Sequence, residues 1–147
     1  MEFDGAAGAR FDVNPGRAEM SARATPRDSE RQARILIVED EPMLAFVLEE
    51  TLIDAGFEIA GVAERLETAL AMIDSEVFDA AVLDANLAGV SAGPAAAALT
   101  ARARPFIVVS GYLPEQQQSA FSGAPRLQKP CRPNELIAAL RGILPSQ

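Results

Sequence analysis

Six side chains that could share one reaction stand at or just beyond the ends of short apolar runs. Glu39 and Asp40 follow RILIV, and Asp84 ends FDAAVLD with Asn86 two residues on. Ser110 ends PFIVVS, and Lys129 follows Arg126–Gln128. Lys129 is the only lysine; every other base is arginine. Three carboxylates in one pocket need help to stay there. Two like charges ~4 Å apart repel by ~4 kcal/mol at an effective dielectric of ~20. A hard divalent cation relieves that repulsion, and magnesium suits one or two carboxylates plus waters and phosphate oxygens. The loop after the first run has no glycine, so it cannot cradle a phosphate on bare amides as glycine-rich loops do. It offers acid instead, which collects a cation. Asp84 is then a candidate nucleophile toward a phosphoryl group, since carboxylates form acyl phosphates. Ser110 and Lys129 are placed to hold the phosphoryl oxygens, because phosphoryl transfer depends mainly on positioning and charge neutralisation.

Each residue also has a plainer role open to it. Glu39 and Asp40 can stabilise a following helix N-terminus by ~0.3–1 kcal/mol. Ser110 can satisfy a backbone group, Asn86 can form a turn, and Lys129 can be a solvated charge. Tyr112 can be a surface ring. Cys131 reads as a small apolar filler, and Leu87 and Phe106 as core.

The elements that must position these groups alternate strand and helix. Arg34–Val38 is a short β-branched run that reads as a buried strand. Pro42 suits the first turn of a helix. Leu44, Val47, Leu48, Thr51, Leu52 and Ala55 recur at helical spacing, and Gly56 ends that run. Phe57–Ala63 is a second strand. Leu66, Ala69, Leu70 and Ile73 mark a second helix. Phe78–Asp84 is a third strand, and Ser91 is placed to cap an alanine-rich helix running to about Arg102. Pro105–Ser110 is a fourth strand. Glu115–Phe121 forms a short, weak helix ending at Gly123, and Arg126–Gln128 a brief fifth strand. Pro133–Leu144 closes with a helix whose Leu136, Ala139, Leu140 and Ile143 face inward. This is (βα)₅. Parallel neighbours cannot be joined by a tight turn, so right-handed crossovers and a doubly wound α/β fold follow, with helices on both faces. The expected strand order is 2-1-3-4-5, as in flavodoxin-like folds, and ligands bind at the carboxyl ends of such strands.

Composition narrows the chemistry further. The chain has 147 residues, of which 49% are hydrophobic and 23% charged, with a net charge of -8. One domain of ordinary globular composition fits, and its acidity disfavours nucleic acid. The absence of histidine excludes a His-based zinc site, a Ser-His-Asp or Cys-His nucleophile, and a phosphohistidine on this chain. One cysteine excludes an internal disulfide. No apolar run is long enough to span a membrane, and no signal pattern opens the chain; a cytoplasmic protein is the expectation. Residues 1–34 carry six arginines and six acids and little apolar bulk. They read as a flexible arm, with residues 35–147 as the domain that holds the whole net charge.

The segments ILIVEDEP, AAVLDANLAG, FIVVSGY and LQKP, in that order over residues 34–144, resemble the CheY-like receiver domain of two-component response regulators. The resemblance implies that Asp84 is the phosphoacceptor. It implies that Asp40 binds magnesium directly, with Glu39 helping through water and Asn86 giving its backbone carbonyl. Ser110 would be the hydroxyl that senses the phosphoryl group and Lys129 its charge partner, with a cis peptide at Lys129-Pro130. One position departs. The aromatic usual three residues before the lysine is replaced by Arg126, and the ring is at Tyr112 instead. This resembles the subgroup with a Phe-Ala-Thr-Gly-Tyr-like motif, which works with histidine kinases of the HWE and HisKA2 types, and it makes Tyr112 the expected switch residue.

The expectation is a stand-alone receiver, since no output domain follows residue 147 and the arm is too short to be one. It takes a phosphoryl group from a histidine kinase or phosphotransfer protein and switches the binding of a downstream protein, without nucleic acid or membrane. It is expected not to be an enzyme beyond self-phosphorylation and autodephosphorylation. Two alternatives are a phosphatase of the haloacid dehalogenase type and a pseudo-receiver used only for docking. The phosphatase places its nucleophilic Asp before the metal acids, the reverse of the order here. The pseudo-receiver has lost motif residues, and none is lost here.

Overall fold

The computed structural model describes residues 31–145. Residues 1–30, most of the expected arm, lie outside them. Five parallel strands form the central sheet: β1 (Arg34–Val38), β2 (Glu58–Ala63), β3 (Ala80–Asp84), β6 (Phe106–Ser110) and β7 (Arg126–Gln128), in the order β2-β1-β3-β6-β7. This is the expected order. The higher numbers reflect a two-residue hairpin, β4 (Asn86–Leu87) with β5 (Val90–Ser91), that the sequence reading did not include. The helices are α1 (Pro42–Asp54), α2 (Leu66–Ser75), α3 (Gly93–Ala101), the single turn α4 (Glu115–Gln118), which runs into a 3₁₀ turn at Ser119–Phe121, and α5 (Pro133–Ile143).

Burial follows the pleat. Alternate residues of the inner strands point to opposite faces, and each face has its own core. Leu36, Val38, Ala81, Leu83, Phe106 and Val108 pack with Ala69 and Ile73 of α2 and Ala95 and Leu99 of α3. Ile35, Ile37, Val82, Ile107 and Val109 pack with Leu52 of α1 and Leu136 and Leu140 of α5. β3 and β6 are buried along their whole length because strands flank both edges and helices cover both faces. Leu87 and Phe106 are buried, as expected. One approach at a glycine is tight: a Cβ on Gly61 of β2 would lie 3.2 Å from Met72 Sδ of α2, so the methionine would have to shift by a few tenths of an ångström.

One expectation needs correction. Ser91 does not occupy the cap of α3. It ends the hairpin, and Ala92 stands at the cap, although Ser91 Oγ still accepts the Gly93 N–H at 3.1 Å. The hairpin took the residue because its tight turn, Ala88 and Gly89 with φ of 54° and 89°, reverses the chain just before the helix. On α1, Leu44 and Val47, which the helical spacing picked out, are exposed. Only Ala45 and Leu52 of that helix are buried, because the helix is apolar around most of its first two turns and can seat only one side on the sheet.

Candidate functional site

The acids come together because four strands end on the same edge. Glu39 follows β1 directly, and its backbone N–H donates to the Ala63 carbonyl of β2 at 2.9 Å. Asp84 is the last residue of β3. The two carboxylates are only 2% and 5% exposed. Ligand oxygens of Glu39, Asp40 and Asp84 all lie within 4.8 Å of one another, with Asp40 half-buried at the mouth. Lys129, one residue beyond β7, crosses to them. Its Nζ donates to Asp84 Oδ2 at 3.0 Å and to Glu39 Oε1 at 3.3 Å. Its backbone N–H donates to the Ser110 carbonyl at 2.8 Å, which ties the lysine to the end of β6. The Lys129-Pro130 peptide is cis, as the resemblance implied.

The remaining carboxylate oxygens are held by backbone. Asp84 Oδ1 accepts the Asn86 N–H and Glu39 Oε2 accepts the Glu41 N–H, each at 3.1 Å. Burial of Glu39 raises its pKa to about 7, and the Asp84 charge adds to the rise; the Glu41 N–H and Lys129 oppose it. For Lys129, burial pulls the pKa down. The hydrogen bond to Asp84 and the charges of Asp84 and Glu39 outweigh it, so the net shift is upward and the ammonium stays charged. One ammonium thus faces three carboxylates. The oxygen-only donor set and the surplus negative charge suit a hard cation that keeps part of its water shell.

Asn86 opens the hairpin next to Asp84. Its side chain is turned to structure, accepting the Gly89 N–H at 2.8 Å. Ser110 ends β6 and is 4% exposed. Tyr112, two residues on, is 87% exposed. It lies in the loop beyond β6, outside the acid cluster. The cluster therefore unites Glu39, Asp40, Asp84 and Lys129; Ser110 reaches it through its carbonyl on the Lys129 N–H, and Asn86 through its backbone N–H on Asp84.

A feature beside the site went unread in the sequence. Glu39 and Lys129 form one end of a groove of about 400 Å³ whose walls are Leu44, Val47 and Leu48 of α1 with Pro130 and Cys131. Met43, Phe46 and Val47 continue the apolar face into solvent. The signal was present: PMLAFVL holds more apolar residues than one buried stripe uses. Cys131 lines this groove half-buried and packs against the core between α1 and α5 as an apolar filler, and burial raises its pKa.

Known proteins are similar to this chain in sequence and in fold. Residues 35–141 match the response regulator receiver domain family. The chain is 32% identical over 115 residues to the transcriptional regulatory protein TcrA of Mycobacterium tuberculosis, a match that covers 75% of this chain and 45% of that protein. The chain thus spans less than half the length of the curated relative. A CheY-like response regulator receiver domain protein from Methanospirillum hungatei is 28% identical, with a TM-score of 0.68 over 76% of this chain and 93% of that one. The signal receiver domain of a modulated diguanylate cyclase from Desulfovibrio desulfuricans shares the fold, with a TM-score of 0.71 at 24% identity over the same shares of the two chains. With the ends of β1, β3 and β7 delivering the acid cluster and its lysine to one edge, and a family match over residues 35–141, this chain belongs to the response regulator receiver domains.

Proposed function

We propose that this chain is a phosphoacceptor of a two-component phosphorelay, with Asp84 as the residue modified. The observation that carries the reading is the position of Asp84: buried, in the cluster with Glu39 and Asp40, and 3.0 Å from the only lysine. An Asp84 carboxylate oxygen attacks the phosphorus of a phosphohistidine on a histidine kinase or phosphotransfer protein. The P–O bond forms as the P–N bond breaks, and the imidazole leaves with the electron pair. Asp40, Asp84 and the Asn86 backbone carbonyl would hold Mg2+, with Glu39 assisting through water. Bound there, the ion would neutralise charge on the phosphoryl oxygens. Lys129 moves its hydrogen bond from Asp84 Oδ2 to a phosphoryl oxygen, and the Ser110 hydroxyl donates to another. The acyl phosphate adds about -1.5 to -2 charges that the groups around it must answer. Tyr112, in the loop that Ser110 leads, is the residue proposed to register the change.

The groove between α1 and Pro130-Cys131 is the face over which the phosphodonor approaches, because it opens on Glu39 and Lys129 and an apolar helix would cover Met43, Phe46 and Val47. Kinases of the HWE and HisKA2 types are the proposed donors, on the motif around Tyr112. The chain acts as a single receiver and turns over no substrate beyond its own phosphorylation and autodephosphorylation. The order of the motifs and the family match favour this over a haloacid-dehalogenase-type phosphatase, and the complete acid and lysine set favours it over a docking module without phosphorylation. Among the described residues no helix is long and apolar enough to cross a membrane.

Acetyl phosphate with magnesium should label the wild-type chain once. Equal labelling of Asp84→Ala would remove the proposal, and repeated turnover of a generic phosphate ester would favour the phosphatase.

A further inference from the structure

The hairpin at Asn86–Ser91 abuts the acid cluster, and its register decides where the Asn86 backbone points. Asn86 pairs with Ser91 and Leu87 with Val90. One step back, the Ala92 N–H donates to the Ala85 carbonyl at 2.9 Å. An antiparallel ladder alternates pairs that exchange hydrogen bonds with pairs that do not. Ala85 with Ala92 is a bonded pair, so Asn86 with Ser91 is a non-bonded pair and Leu87 with Val90 is bonded again. The Asn86 N–H and C=O are therefore both turned out of the ladder, to the same side. The N–H shows which side that is, because it donates to Asp84 Oδ1 at 3.1 Å.

This aim rests on a turn of unfavourable composition. Ala88 and Gly89 have φ of 54° and 89°. A two-residue hairpin loop with both φ values positive is a type I′ turn, which favours Asn-Gly, Asp-Gly or Gly-Gly. Gly89 suits its place. Ala88 does not, because a Cβ disfavours the left-handed region. The base of the hairpin is anchored, with Ala85, Leu87 and Ala92 buried. The tip is exposed, and open space surrounds Gly89 where a side chain would stand. One side-chain contact spans that tip. The Gly89 N–H, which the ladder does not use, donates to Asn86 Oδ1 at 2.8 Å.

We propose that the Asn86 side chain is a positioning residue. It braces the strained turn, and through the ladder it keeps the Asn86 N–H on Asp84 and the Asn86 carbonyl turned to the cation side of the cluster. The amide oxygen works on the turn and touches neither the cation nor the phosphoryl group. The part of this inference that concerns the cation rests on the proposed function; the part that concerns the Asp84 hydrogen bond does not.

The test repairs the turn by other means. Ala88→Asn supplies the Asn-Gly pair that a type I′ turn favours, so it should make the brace dispensable. The hairpin stands outside the five-stranded sheet, so these variants leave the fold in place. Two readouts are followed in the ¹⁵N-labelled full chain: water exchange of the position-86 amide without metal, and affinity for magnesium chloride from amide shifts. Asn86→Ala should speed the exchange about fivefold and weaken magnesium about fivefold, the scale of one net hydrogen bond. Asn86→Ala combined with Ala88→Asn should return both to within about twofold of wild type. Unchanged exchange in Asn86→Ala would overturn the proposal. So would a loss that Ala88→Asn leaves unrepaired, since that would put the amide in direct contact with the reacting groups. A wild-type chain that binds no magnesium would count against the proposed function, and the exchange readout would still decide the brace.

Discussion

The ends of the inner strands and the edge of the sheet at β7 differ in almost every physical respect. β3 and β6 are buried throughout, and the groups they deliver, Asp84 and Ser110, are nearly sealed from solvent. β7 is three residues long with two of them exposed, and the loop facing it carries a tyrosine almost wholly in solvent. Lys129 bridges the two regions, its backbone tied to β6 and its ammonium to Asp84 and Glu39. The contrast suggests a division of labour. The groups proposed to make bonds sit where packing on two faces holds them. The residue proposed to report the change, Tyr112, sits almost wholly in solvent.

Substitutions can break this comparison. The largest expected effect is at the bridge. Lys129→Ala leaves Asp84 and Glu39 buried with no cation and removes the partner of a phosphoryl oxygen. Labelling by acetyl phosphate should fall by about 100-fold, the usual scale for losing one such charged donor; a drop of less than about threefold would show that the ammonium is not at the reacting group. Next is stability. Leu83→Ala, in the middle of β3, should cost about 3 kcal/mol in urea unfolding, and Leu127→Ala in β7 about 1 kcal/mol. Equal losses would mean the edge is as tightly held as the centre. Phe46→Asp puts a charge on the exposed face of α1, and the ratio of kinase-driven to acetyl-phosphate labelling should fall about tenfold. An unchanged ratio would move the donor's approach away from the groove. The smallest effect is at Tyr112→Ala, where about a threefold change in dephosphorylation rate or partner affinity is expected; if neither changes, Tyr112 is not a switch.

The same contrast explains what could be read in the sequence. Inner strands are continuous apolar runs that stop abruptly at a polar residue, so ILIVED, AVLD and FIVVS displayed both the strand and the group at its end. The sheet order and the meeting of Asp84 with Asp40 and Lys129 followed from that. The hairpin at Asn86–Ser91 was hidden because its turn is Ala88-Gly89, without the Asn-Gly or Asp-Gly pair that marks such turns. Ser91 was misassigned for the same reason, since a serine ahead of an alanine-rich stretch resembles a cap whether or not a hairpin intervenes. The outward face of α1 was missed because spacing identifies a helix without saying how much of an apolar circumference the sheet can cover. Arg126 stood out in the sequence as a departure. In the structure it pairs with Val108 of β6 and lines a cavity with Tyr112.

The central claim is that Asp84 accepts a phosphoryl group with the help of a cation held by its neighbours. The most direct measurement is intact-mass analysis of the 147-residue chain after acetyl phosphate treatment, with and without magnesium, followed by borohydride reduction and peptide mapping. One added phosphoryl group, dependent on magnesium and converted to homoserine at position 84, is the predicted result. Modification at another residue, or the same yield with the metal chelated away, would contradict it.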